Sequence, residues 1–245
     1  MSGSNFSGIL SSMVQNEFTV ILPAAGTSSR FGGTDKLLSE INGLTVLQRA
    51  VKLFSQRADV LRIVIATPTD RHDSYRRHLD PVLNRKELNF VQGGSERWES
   101  VYNALISPYV QGDYVAIHDA ARPLTPESLI DAAFTAAVEH GASLPLVPEP
   151  ATLKKLSSDR VVAQTVDRAG LFQAQTPQCF RTQLLRDAFE QLIRDKRIAG
   201  VTDDAQVIEW TGGRVVGTTG SSVNIKITTQ DDLTLARALA ESSSI

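Results

Sequence analysis

The chain of 245 residues sets 25 Lys and Arg against 27 Asp and Glu, a formal charge of −2, with 42% apolar and 21% charged residues. That is the balance of an ordinary globular chain able to bury its own core, without the basic excess of a generic nucleic-acid binder. One cysteine, Cys179, excludes an intramolecular disulfide framework and a cysteine zinc cluster, and His72, His78, His118 and His140 lack metal-ligand spacing.

At about 150 residues per domain, this length suggests one large domain or two small ones. Residues 1–16 are rich in Ser and Asn and carry no Lys or Arg, unlike a signal or transit peptide. No apolar run nears the roughly 18 residues of a membrane helix. The expectation is a cytoplasmic protein with a disordered extension over 1–16, one domain over 17–241 and a frayed tail over 242–245.

The first apolar run, 18–22, predicts a strand that ends in a loop of small residues, Pro23-Ala24-Ala25-Gly26. Apolar residues at 46, 47, 50, 51 and 54 have helical spacing. Apolar strands follow over 61–66 and 114–117, and a further strand ends before Gly93-Gly94. Thr125-Pro126-Glu127 predicts a helix with Thr125 as N-cap and Pro126 at the first helical position. That helix stops at Gly141, and a strand is predicted over 143–147. Strands apolar throughout and alternating with helices imply a parallel sheet covered on both faces. Ligands of such sheets bind at the carboxyl ends of the strands, so the loops after Leu22, Gln92 and Ile117 carry the interest.

Pro145, Pro148 and Pro150 then introduce short alternating segments over 152–156 and 161–166, split by Ser157-Ser158-Asp159. They predict a two-stranded ribbon outside the sheet, and such a ribbon needs a partner surface. Helices are predicted over 182–196 and 203–209, and strands over 214–218 and 223–227. A last helix starts at the capping box Thr229-Gln230-Asp231-Asp232.

Small residues after the first strand let backbone N–H groups approach a polyphosphate, with Arg30 and Lys36 placed to neutralise it. A tight turn with two solvated cations fits the segment equally well. It is neither a Walker loop nor a dinucleotide fingerprint. Gly93-Gly94 permits close approach of a ligand, and Ser95 is placed to cap the helix bearing Ser100. Asp119, at a strand end, suits a Mg²⁺ ion held against phosphates; an Asp119–Arg122 ion pair is the competing reading. Alternation puts Asn224 and Lys226 on one face of a strand and Ile225 toward the core. An edge lysine can also be a mere guard against aggregation. The acids of Thr202-Asp203-Asp204-Ala205 suit a helix N-terminus.

In combination and order, Pro23-Ala24-Ala25-Gly26…Arg30…Lys36, Gly93-Gly94-x-x-Arg97-x-x-Ser100-Val101, His118-Asp119-Ala120-Ala121-Arg122-Pro123, Thr165-Val166-Asp167-Arg168, Thr176-Pro177-Gln178-x-Phe180, Thr202-Asp203-Asp204-Ala205 and Asn224-Ile225-Lys226-Ile227-Thr228 resemble the 2-C-methyl-D-erythritol 4-phosphate cytidylyltransferase family over about 18–239. The resemblance implies a Rossmann-like nucleotidyltransferase fold: a mostly parallel sheet, helices on both faces and a protruding β-arm over 149–170. It implies transfer of a cytidylyl group from CTP to methylerythritol phosphate, with release of pyrophosphate. Ala24, Ala25, Gly26, Gly94 and Ser100 would hold the nucleotide and Asp119 the Mg²⁺ ion. Arg30 and Lys36 would contact the triphosphate, and Lys226 the α-phosphate region. Arg168, Thr176 and Thr202 would contact the acceptor, and the arm would clasp a second subunit in a homodimer. No nucleic acid or membrane partner is implied.

Two positions depart from the family pattern: Ser28 replaces a usual glycine, and Asp35, before Lys36, replaces a usual proline. A carboxylate there would oppose an incoming triphosphate. The rival readings are a sister enzyme acting on ribitol 5-phosphate and a non-catalytic nucleotide-binding protein. A nicotinamide dehydrogenase would need the missing glycine fingerprint. Because the acceptor phosphate is itself a nucleophile, no catalytic triad is needed, and Cys179 is expected to be packed.

Overall fold

In the computed structural model, which describes residues 16–26, 31 and 35–242, the first apolar run forms β1 (Phe18–Pro23). Its side chains alternate between two cores: Val20 and Leu22 face one, Ile21 the other. β4 (Val60–Thr67) repeats the pattern, with Ile63 and Ile65 opposed to Val64 and Ala66. Each of these side chains is fully buried, a gain on the order of 1.5–3 kcal/mol apiece for the larger ones. The strands are apolar throughout because both faces are covered.

Between these strands lie the short hairpin β2 (Glu40–Ile41) and β3 (Leu44–Thr45) and the helix α1 (Val46–Ser55). Thr45 starts α1 with a capping box: its hydroxyl accepts from Gln48 N–H at 3.1 Å, and its own N–H donates to Gln48 Oε1 at 2.7 Å. Next come α2 (His72–Leu79), β5 (Glu87–Gln92), α3 (Arg97–Leu105), β6 (Tyr114–Ile117), α4 (Glu127–His140) and β7 (Ala142–Pro148). Gly141 ends α4 with φ +88°, as the sequence predicts. Thr125 is not the N-cap of α4. Pro126 holds that position without a side-chain bond, because the Thr125 hydroxyl donates to Asn224 Oδ1 at 2.8 Å.

The predicted ribbon is present as β8 (Leu153–Leu156) and β9 (Val162–Val166), an antiparallel pair separate from the main sheet. The chain then forms β10 (Phe172–Ala174), β11 (Gln178–Arg181), α5 (Thr182–Arg194), α6 (Asp204–Trp210), β12 (Val216–Thr219) and α7 (Gln230–Ser242). The predicted strand over 223–227 is instead an extended loop without strand pairing.

The main sheet has eight strands in the order β10-β7-β11-β6-β1-β4-β5, with β12 also paired to β7. Pairings β6-β1-β4-β5 are parallel; β11 is antiparallel to β6 and β7, and β10 to β7. One core lies beneath α1, α2, α4 and α7, the other beneath α3, α5 and α6. From β1 the chain builds outward through β4 and β5, then returns to lay β6 on the other side of β1. That reversal opens a crevice at the carboxyl ends of β1 and β6, the usual ligand position in such sheets.

Candidate functional site

A cleft of about 390 Å³ lies at this crevice. Ala24, Ala25 and Gly26 after β1, Gly94 and Ser100 around the start of α3, Asp119 after β6, and Lys36 and Lys226 all line it. Eight residues singled out by sequence thus meet in one place. Arg30 and Ser28 lie outside the described residues.

The glycine pair explains how two loops approach so closely. A Cβ on Gly93 would stand 2.5 Å from Ala25 Cβ, and one on Gly94 would stand 2.2 Å from Glu99 Cβ. Ser95 does not cap α3; Glu96 is the N-cap residue. Glu99 reaches back instead, its carboxylate accepting from the Ser95 N–H at 2.7 Å, the Ser95 hydroxyl at 2.6 Å and the Glu96 N–H at 3.3 Å. Buried Ser100 accepts from Gly94 N–H at 3.0 Å and donates to the Glu96 carbonyl at 3.2 Å. Its hydroxyl shapes the loop from beneath.

Asp119 is the electrostatic centre. Its Oδ2 is 2.8 Å from Lys226 Nζ and 3.6 Å from Arg122 Nε, and its Oδ1 accepts from Arg97 Nε at 3.2 Å. Burial pushes this carboxyl up, but Arg97, Lys226 and Arg122 outweigh it and hold it well below the usual carboxylate range. The Asp119–Arg122 contact is therefore one arm of a larger cation cluster. Lys226 reaches Asp119 from the 223–227 loop. Buried Asn224 fastens that loop, donating to the Thr176 carbonyl at 3.0 Å and accepting from Thr125. Ile225 packs against the core as expected, but Asn224 is buried as well and no strand forms here, so Asn224 and exposed Lys226 do not share one strand face. Lys36 leans on the same loop, its Nζ donating to the Ile227 carbonyl at 2.8 Å.

Asp35 does not face the cleft. One carboxylate oxygen accepts from the buried Tyr75 hydroxyl at 2.6 Å, the other from Leu37 N–H at 3.0 Å, capping the short turn that carries Lys36. Arg71 stands 3.8 Å away. The carboxylate expected to oppose a triphosphate instead anchors the lysine turn to α2.

The IspD family model, 2-C-methyl-D-erythritol 4-phosphate cytidylyltransferase, matches residues 18–242. The chain belongs to this family. It is 41% identical over 225 residues to the enzyme of that name from Syntrophotalea carbinolica, covering 91% of this chain and 95% of the relative. It is 35% identical to the chloroplastic enzyme of Oryza sativa subsp. japonica, covering 92% and 75% respectively. Among solved structures, the synthase from Anaerococcus prevotii superposes with a TM-score of 0.80 at 26% identity, over 93% of this chain and 97% of that one. The Thermus thermophilus cytidylyltransferase gives 0.74 at 30% identity, over 92% and 99%. The Rossmann-like nucleotidyltransferase fold expected from the sequence is the fold observed.

Three residues that the cytidylyltransferase resemblance assigns to the acceptor are not gathered in the cleft. Arg168 lies at the base of the arm, where it donates to the Pro150 carbonyl. Thr202 is exposed, and its N–H donates to Gln206 Oε1 at 2.8 Å. Thr176 is buried; its Oγ1 accepts from Asp119 N–H and lies 3.1 Å from His118 Nδ1. His118 Nε2 faces the Arg122 carbonyl at 3.0 Å, which can only accept. Nε2 therefore carries the proton, and Thr176 donates to Nδ1. Burial pushes the imidazole down to about 4, so the ring is neutral at pH 7. Cys179 is buried, as expected, and burial pushes its thiol up. Sequence reading left Arg97 without a role, although its spacing of three from Ser100 puts both on one face of α3.

Proposed function

We propose that the protein transfers the cytidylyl group of CTP to 2-C-methyl-D-erythritol 4-phosphate in the non-mevalonate route to isoprenoids. The products are the 4-diphosphocytidyl alcohol and pyrophosphate. The observation that carries this reading is the convergence of Ala24, Ala25, Gly26, Lys36, Gly94, Asp119 and Lys226 on one cleft at the sheet's reversal point. An acceptor phosphate oxygen attacks the α-phosphorus in line. The bond from that phosphorus to the bridging oxygen breaks, and pyrophosphate leaves with the electron pair.

The acceptor brings its own nucleophile, so the protein's work is positioning and charge neutralisation. The small residues Ala24, Ala25, Gly26, Gly94 and Ser100 form the wall that holds the nucleotide. Arg30 and Lys36 offset the triphosphate, and Lys226 the charge growing at the α-phosphorus. A preorganised donor of this kind is worth about 10²–10³ in rate. Asp119 fits a Mg²⁺ ion: it is an ionised hard-oxygen ligand on the cleft wall, and Mg²⁺ commonly takes one or two carboxylates with phosphates and water. No cluster of three or more ligating side chains occurs among the described residues. When bound, Mg²⁺ neutralises phosphate charge and polarises the phosphoryl oxygens.

The arm completes the proposal. Leu156, Val161 and Val162 stand exposed on it, and an isolated ribbon lacks a core of its own. A second copy of the chain clasps the arm, and Arg168 enters that copy's site. No helix among the described residues is long and apolar enough to cross a membrane. Pyrophosphate release with CTP and each polyol phosphate tests the reaction. Release should require CTP and methylerythritol phosphate together. Release without an acceptor, or with ribitol 5-phosphate preferred, overturns the reading.

A further inference from the structure

Arg97 joins two carboxylates that lie far apart in the chain. Its Nε donates to Asp119 Oδ1 at 3.2 Å, and its Nη2 donates to Asp204 Oδ2 at 2.7 Å. Asp119 follows β6, Asp204 begins α6, and Arg97 begins α3, so one guanidinium ties together three separate elements. Asp204 is fully buried and its Oδ1 has no hydrogen-bond partner. A carboxylate kept in such a place costs stability that an apolar residue would not. Stability alone therefore does not explain it.

The same end of α6 has a second latch. Gln178 Oε1 accepts from the Asp204 and Ala205 N–H groups, both at 2.9 Å, and its Nε2 donates to Asp203 Oδ2 at 2.8 Å. The start of α6 is thus held from the sheet by Gln178 and from the cleft by Arg97. Thr202 lies two residues before Asp204. A planar guanidinium fixes two directions at once, which the point charge of lysine cannot do.

We infer that Arg97 is a positioning residue that sets the Thr202 loop, on the acceptor side, in register with Asp119 on the nucleotide side. The inference rests on the proposed assignment of Thr202 to the acceptor. Without the Arg97–Asp204 arm the nucleotide pocket keeps its walls, while the acceptor loop loses its fixed distance from the α-phosphorus.

Asp204→Asn and Arg97→Lys test this through three readouts: CTP affinity by calorimetry without acceptor, steady-state kinetics with each substrate varied, and amide exchange over 202–205. Asp204→Asn should raise the KM for methylerythritol phosphate about tenfold to a hundredfold, the scale of a small misplacement. CTP affinity should stay within about twofold, since a contact remote from the nucleotide adds little to its binding. Exchange over 202–205 should quicken in both variants. Arg97→Lys also alters the Asp119 side of the cleft, so its CTP affinity is not a criterion; its acceptor KM should rise likewise, and that rise with quickened exchange over 202–205 carries the test if Asp204→Asn does not fold. An unchanged acceptor KM with unchanged exchange overturns the inference. So does an equal weakening of both substrates in Asp204→Asn, which marks a general folding defect. If the wild type shows no acceptor dependence, the proposed function falls, while exchange over 202–205 still decides whether Arg97 holds the loop.

Discussion

The two halves of the site are built differently. On the nucleotide side, residues from five stretches of chain line one cleft within a single subunit, and they rest on one another: Gly93 on Ala25, Ser100 under Gly94, Lys36 on Ile227, Lys226 on Asp119. On the acceptor side, Arg168 stands on the exposed arm, Thr202 on an exposed loop, and Thr176 is turned inward to Asp119 and His118. One chain finishes the first half and leaves the second open. On the proposed assignments, nucleotide binding is a property of the subunit, whereas acceptor binding depends on how the arm and the 202–204 loop are held.

The sharpest way to break this comparison is to empty the nucleotide half of charge. Lys36→Ala and Lys226→Ala should each lower the rate by about 10²–10³, the cost of a lost preorganised donor, while melting near wild type. Activity within about threefold of wild type would remove that lysine from the chemistry, being far less than such a donor contributes.

Asp119→Asn comes next. A surface ion pair is worth at most about 1 kcal/mol, and that ceiling would apply if Asp119 were exposed. It is 7% exposed and faces three cations. Removing one partner of a buried cluster costs about 3–5 kcal/mol, reduced here because Lys226 is itself 41% exposed. Urea unfolding should show a loss above 1 kcal/mol, and CTP binding should lose its dependence on Mg²⁺. Retained Mg²⁺ dependence would take the ion away from this residue.

What the sequence disclosed follows the same division. β1, the Gly141 stop and the Thr229–Asp232 capping box are local patterns, and each is present; Thr229 N–H donates to Asp232 Oδ2 at 2.8 Å. That residues 24–26, 94 and 119 meet at one cleft was legible because strand ends of a parallel sheet converge by topology; Lys36 and Lys226 reach it from a turn and a loop. The errors arose where tertiary partners override local preference. Thr125 is a good N-cap residue whose hydroxyl goes to Asn224, 99 residues away. The stretch 223–227 alternates like a strand, but Asn224 turns inward to bond Gln175 and Thr176 while Lys226 turns to Asp119. Arg97 and Asp204 are 107 residues apart, and no spacing rule connects them.

Thr176 is held inward by its neighbour His118. His118 is buried and neutral, and its imidazole is pushed down to about 4 by burial, against the favourable Arg122 carbonyl and Asp119. In the unfolded chain it titrates near 6.5, so between about pH 6.5 and 4 the unfolded state binds the extra proton. The neutral ring's contribution is whole above pH 6.5 and drains away as the pH falls toward 4, reaching a loss of about 2 kcal/mol at pH 5. NMR titration should find the His118 ring neutral at pH 5. A ring protonated near pH 6.5 would mean that Thr176 does not donate to Nδ1 and is free to serve the acceptor.

The smallest effect bears most directly on the open half. Lys36→Ala and Arg168→Ala are each expected to be inactive alone, one in the nucleotide half and one in the arm. If Arg168 completes the partner's site, mixing the variants under subunit exchange creates hybrids in which one site has both residues intact and the other carries both lesions. Random pairing of equal amounts makes half the dimers hybrid, so roughly a quarter of all sites should recover. If Arg168 serves its own chain, every site keeps one lesion and nothing recovers. Native mass spectrometry counts the hybrids independently of activity. Hybrids without recovery would return the acceptor half to the single subunit and leave the 202–204 loop, rather than the partner's arm, to close it.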